Sequence, residues 1–90
     1  MTDHLEELRD RIIQLDEDLV DLIAERRDLV LEIGQIKADL GLPVMDPARE
    51  AAVVRRAAAL ARDKDVDEEL VRDVIWRIMA SAREEQGGAS

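Results

Sequence analysis

Ninety residues are enough for one domain and leave no room for a second. The absence of cysteine excludes a disulfide framework and a thiolate metal centre. The formal charge of −9 argues against nucleic acid as a partner, because phosphate recognition needs a basic footprint.

The chain opens on Met1-Thr2-Asp3-His4-Leu5, without the basic and apolar regions of a signal peptide. No apolar stretch approaches the roughly 20 residues that cross a bilayer, so a cytoplasmic protein with no membrane partner is expected. His4 cannot build a metal site alone and reads as plain surface. Leu5, Leu8, Ile12, Leu15, Leu19, Leu22, Leu29, Ile33, Ile36 and Leu40 then recur at alternating steps of three and four, a heptad seam. Gly41-Leu42-Pro43 ends it, with glycine at the C-terminal cap and proline beyond. A helix from about Asp3 to Leu40 is roughly 37 residues and about 55 Å long at 1.5 Å per residue. A compact chain of this size has a radius of gyration near 12 Å, so one copy cannot cover the seam. A second copy, in a closed two-fold dimer, is the default remedy.

The second predicted helix starts with Asp46 as cap and Pro47 at its first position, carries a small-residue stripe of Ala51, Val54, Ala58 and Ala61, and ends in Arg62-Asp63-Lys64-Asp65. The third is capped by Asp67 and buries Leu70, Val71, Val74, Ile75, Ile78, Met79 and Ala82. Gly87-Gly88-Ala89-Ser90 reads as a disordered tail, leaving residues 1–86 as one all-α, three-helix domain.

The polar residues that interrupt these stripes carry the functional signal. Arg26 stands where the seam calls for an apolar side chain between Leu22 and Leu29. A buried unpaired charge costs several kcal/mol, so Arg26 either pairs with an acid or faces a ligand. Lys37, eleven residues on, returns to within about 20° of Arg26 around the helix and lies about 16 Å along it, and two cations facing one space call for an anion between them. Arg9 lies about 100° away from Arg26 and cannot serve the same pocket on the same chain, although it could serve a partner's. Gln86 extends the stripe Ile75, Met79, Ala82 by four, and Arg49 and Glu50 place a cation and a carboxylate in the first turn of the second helix. Taken singly, Gln86 suits a solvated helix end and Glu50 a dipole-complementing residue. Together the set would suit a small polyanion, and it lacks the Ser, Cys or His of covalent catalysis.

Leu8-Arg9-Asp10, Leu15-Asp16, Ala24-Glu25-Arg26-Arg27, Ile33-Gly34-Gln35-Ile36-Lys37 and Pro43-Val44-Met45-Asp46-Pro47-Ala48-Arg49-Glu50 resemble the all-helical (type II) bacterial chorismate mutases over about residues 5 to 86. The resemblance implies an intertwined homodimer of three-helix protomers with two shared sites. It implies conversion of chorismate to prephenate by a Claisen rearrangement in phenylalanine and tyrosine biosynthesis, with no cofactor and no metal. By the same resemblance Arg26, with Arg9 from the other subunit, clamps the two substrate carboxylates. Lys37 and Gln86 hydrogen-bond the ether oxygen. Glu50, helped by backbone near Asp46, holds the ring hydroxyl, and Arg49 adds positive potential.

Two positions depart from the family pattern. A serine is often found four residues before the glutamine, at the substrate-binding position that is Ala82 here, and Arg83 stands where an apolar residue is often kept. Two other activities fit the same residues: an isochorismate-pyruvate lyase of the same fold, told apart by its products, and a non-catalytic dimerisation or regulatory module. The module predicts acid-paired Arg26 and Lys37 and no pocket.

Overall fold

The computed structural model describes residues 2–88. All its elements are helical, as the periodicity predicts: α1 (Thr2–Leu40), α2 (Pro47–Asp63), α3 (Glu68–Arg83), and one π-helical turn, Glu84–Gly88. The predicted tail thus begins inside this turn at Gly87 and Gly88, and its last two residues, Ala89 and Ser90, lie outside the described residues. No described helix is long and apolar enough to cross a membrane.

Local chemistry sets each boundary. α1 closes in a Schellman arrangement, with Leu42 N–H donating to the Lys37 carbonyl (2.8 Å) and Gly41 N–H to that of Ala38 (3.2 Å). Gly41 sits at φ +71°, the left-handed region that a side chain would strain. α2 ends in the same way, with Val66 N–H on the Ala61 carbonyl and Asp65 N–H on that of Arg62. There the left-handed position is taken by Asp65, at φ 56°. α2 starts as predicted: the Asp46 carboxylate accepts from Arg49 N–H at 3.1 Å, and Pro47 follows. Asp67 caps α3 through Glu69 N–H at 3.0 Å.

α2 packs along α3, and α1 meets α3 and the π turn. The core of the single chain is small: Ala57, Ala58 (1% exposed), Ala61 and Met79. The predicted α2 stripe is therefore displaced, since Ala51 is exposed and Ala57, outside the stripe, is buried. On α3, Leu70 and Val74 stay exposed because no described residue covers them. Leu8, Ile12, Leu15, Leu19, Leu22, Leu29, Ile33 and Ile36 are likewise exposed, and no residue of α1 is buried.

The molecule measures 60 × 24 × 18 Å with a radius of gyration of 16.8 Å, against about 12 Å for a compact chain of this length. Its surface is 7431 Å², where a compact monomer of 10.1 kDa would expose about 5,300 Å². The excess, about 2,000 Å², reflects this elongated shape, along which the apolar seam of α1 and Leu70 and Val74 of α3 lie exposed.

The small side chains at the α2–α3 crossing let the two backbones approach. Ala58→Leu should force them apart and cost about 1–3 kcal/mol, read as a lower urea midpoint at fixed protein concentration. An unchanged midpoint would show slack at the crossing.

Candidate functional site

A cleft of about 380 Å³ opens between α1, the start of α2 and the end of α3. Arg26, Lys37, Asp46, Arg49, Glu50, Ala82 and Gln86 all line it. Three separate stretches of sequence thus converge on one space, and the register of each helix aims its polar side chain there. Val30, Ile33, Val53 and Met79 supply apolar wall.

Lys37 is half-buried in the last turn of α1. The Schellman turn brings the chain back along the helix end, and the ammonium donates to the Val44 carbonyl at 3.0 Å. An ammonium has three N–H donors, so this bond orients the group and leaves donors for a ligand. Gln86 is held in the same manner from the opposite side, its Nε2 donating to the Val30 carbonyl of α1 at 2.7 Å. The amide has a second hydrogen free to point into the cleft.

Gly34 makes the Gln86 contact possible. A Cβ at that position would stand 3.1 Å from Gln86 Cγ and 3.3 Å from its Nε2, closer than side chains normally approach. The sequence shows Gly34 only as a helix-weakening residue inside a seam that continues past it. Its role is to clear a seat for an amide 52 positions later, and nothing local signals that.

Arg26 is half-buried and lines this cleft and a second one of about 360 Å³ between α1 and α3. It has no ion-pair partner among the described residues, although Glu25 and Asp28 lie close to it in sequence on α1. Among the described residues neither Arg26 nor Lys37 is acid-paired, and a pocket is present, the opposite of what a plain dimerisation module requires. Arg49 is exposed at the mouth, where its N–H binds the Asp46 cap.

Arg9 is not brought to this cleft. It lies 17 residues, about 25 Å along α1, from Arg26. It is 62% exposed and pairs with Glu6 at 3.2 Å. Arg83, by contrast, does line the cleft, with its Nε 3.4 Å from Glu50 Oε2. Among the described residues this is the only ion pair that joins side chains more than six positions apart. Sequence reading marks Arg83 as unusual without finding its partner, since the contact depends on how α3 crosses α2. Among the described residues, no group of three or more carboxylates or imidazoles is placed to hold a metal ion.

The site therefore gathers four cations and two carboxylates in a chain of net charge −9. Cations outnumber carboxylates there, so the site suits a small polyanion. Comparisons with known proteins give that ligand class a family. Residues 8–87 match the model of the family "Chorismate mutase type II". The chain is 39% identical over 79 residues to a T-protein of Enterobacter agglomerans, covering 88% of this chain and 21% of that protein. It is 37% identical over 70 residues to a chorismate mutase of Methanocaldococcus jannaschii, covering 78% and 71% respectively. It is also 39% identical over 64 residues to a 4-amino-4-deoxychorismate mutase of Streptomyces venezuelae, covering 71% and 62%. The chain thus spans about a fifth of the T-protein's length and most of the archaeal mutase's. A match over nearly every residue, with the polar positions gathered in one cleft, places this chain in the chorismate mutase type II family.

Proposed function

We propose that this protein converts chorismate to prephenate in phenylalanine and tyrosine biosynthesis, as a cytoplasmic homodimer with two shared active sites. The observation that carries this reading is the pair of donors, Lys37 and Gln86, each tethered to a backbone carbonyl and facing one cleft. In the rearrangement the ether C–O bond breaks as a new C–C bond forms between the enolpyruvyl methylene and the ring. The ether oxygen becomes the ketone oxygen of the product. The step is intramolecular, so it needs no nucleophile, cofactor or proton acceptor.

Catalysis then consists of holding the compact conformer and stabilising charge on the ether oxygen. Arg26 binds a carboxylate of the enolpyruvyl side chain or ring, and Arg49 adds positive potential at the mouth. Restricting the flexible side chain over the ring removes part of the entropic barrier in advance. Lys37 and Gln86 donate to the ether oxygen, whose negative charge is largest in the transition state, so their bonds strengthen as the reaction proceeds. Glu50 and the backbone near Asp46 hold the ring hydroxyl. Ala82 leaves open the wall where relatives often carry a hydroxyl.

Surface and reach support a second subunit. About 2,000 Å² of excess surface per chain is the scale of an obligate homodimer interface. Arg9, some 25 Å from its own cleft, becomes useful only in a cleft belonging to the partner.

Arg26→Ala should nearly abolish turnover while helicity and dimer mass persist, because no ion pair is broken by its removal. Lys37→Ala should lower kcat by about 100–1,000-fold with a smaller change in KM. Both are read by loss of chorismate absorbance with identification of prephenate, and salicylate formed from isochorismate would instead identify the lyase.

Gln86→Glu adds a pH test. A carboxyl group donates only when protonated, so activity is present below its pKa and lost as pH rises through it. The acid also has one hydrogen where the amide has two, so the ether oxygen and the Val30 carbonyl compete for it and the maximum should fall. A profile identical to the parent's would take Gln86 out of the chemistry.

Shared sites are tested by mixing. Arg9→Ala and Arg26→Ala homodimers should each be nearly inactive. Unfolded together in equal amounts and refolded, about half the dimers are mixed, and each has one intact site, restoring roughly a quarter of parental activity. If Arg9 served its own chain, every site would lack one arginine, and mixed dimers proven by mass spectrometry would show no recovery.

A further inference from the structure

The Arg83–Glu50 pair lies inside the cleft, each side chain less than a third exposed (29% and 27%). The Arg83 Nε is shielded from solvent and makes no hydrogen bond among the described residues, since its approach to Glu50 Oε2 has the distance of an ion pair without the alignment of a bond. The guanidinium therefore neutralises Glu50 through space, and that Nε–H occupies none of the carboxylate's lone pairs. The result is an acceptor with its charge offset, in a wall that also holds Arg26, Lys37 and Arg49.

Such an acceptor discriminates between two kinds of ring substituent. A hydroxyl needs only a lone pair and finds one on Glu50. A primary amine at the same ring position is an ammonium at neutral pH. It gains most from an unneutralised carboxylate and is repelled by a cation a few ångströms behind it. We propose that Arg83 is a specificity-determining residue that makes this site select a ring hydroxyl over a ring ammonium, by cancelling the charge of Glu50. The question is a real one for this fold, because relatives include proteins named 4-amino-4-deoxychorismate mutase. The inference rests on the proposed role of Glu50 as the ring-hydroxyl acceptor.

The test compares kcat/KM for chorismate and for 4-amino-4-deoxychorismate in the wild type, Arg83→Met, Arg83→Lys and Glu50→Gln. The methionine keeps the length and removes the charge. It should narrow the preference for chorismate at least tenfold, mainly through a lower KM for the amino compound. The lysine keeps the charge and should keep the preference, which a merely structural role for the arginine fork would not. Helicity and dimer mass are checked in parallel, and Arg83→Gln makes the same neutral comparison if the methionine variant does not fold. A preference unchanged within twofold, or both substrates weakened by the same factor as for a carboxylate-binding arginine, overturns the inference. Glu50→Gln separates the two levels: a loss of chorismate turnover upholds its role whatever Arg83 does. No loss removes that role and the inference with it.

Discussion

The constraint on which this structure depends is the length of its first helix. Thirty-nine residues wind into one rod, and the remaining chain is too short to cover it. Every consequence for the site follows from that disproportion. The rod supplies Arg26 and Lys37 on one face, Gly34 between them, and the carbonyls of Val30, Lys37 and Ala38 as anchor or turn acceptors. Because a helix is stiff over this distance, the spacing of those groups does not depend on loops, and a cleft built on it keeps its dimensions.

Preorganisation here is achieved through main-chain oxygens. Lys37 and Gln86 have flexible side chains with several rotatable bonds, and each would lose considerable freedom on binding a ligand. The Val44 and Val30 carbonyls have already fixed both. The local charge is arranged against the global one: an acidic surface surrounds a cleft in which cations outnumber carboxylates. Field lines from the cleft are concentrated by its apolar walls, so a dianion is drawn to the site rather than to the surface as a whole.

Much of this was legible in the sequence because helix period and polar interruption are local signals. The α1 seam, the Asp46-Pro47 and Asp67 starts and the glycine stop after Leu40 all appear where the pattern puts them. Register on one helix also brought Arg26 and Lys37 to one face, whereas the roles of Glu50 and Gln86 beside them were read from the family resemblance. What escaped depends on how the rods cross. Ala57 rather than Ala51 is buried because the α2–α3 contact is rotated from the stripe's centre. The seat that Gly34 provides and the reach of Arg83 to Glu50 are contacts between residues dozens of positions apart, invisible to any window of sequence. Gln86 lies on the expected face, yet in a π turn that no residue pattern announced.

The exposed seam of α1 also bears on the life of a newly made chain. A single copy displays a long apolar stripe of the kind that promotes aggregation until a partner covers it. The −9 charge works against indiscriminate collapse, since two copies repel at long range and only a well-matched contact overcomes that. The same repulsion opposes the correct encounter. Assembly of the proposed dimer should therefore be a second-order step that salt accelerates by screening, over a Debye length of about 8 Å at physiological ionic strength. Solubility of the single chain and speed of pairing are thus set against each other by one number, its net charge.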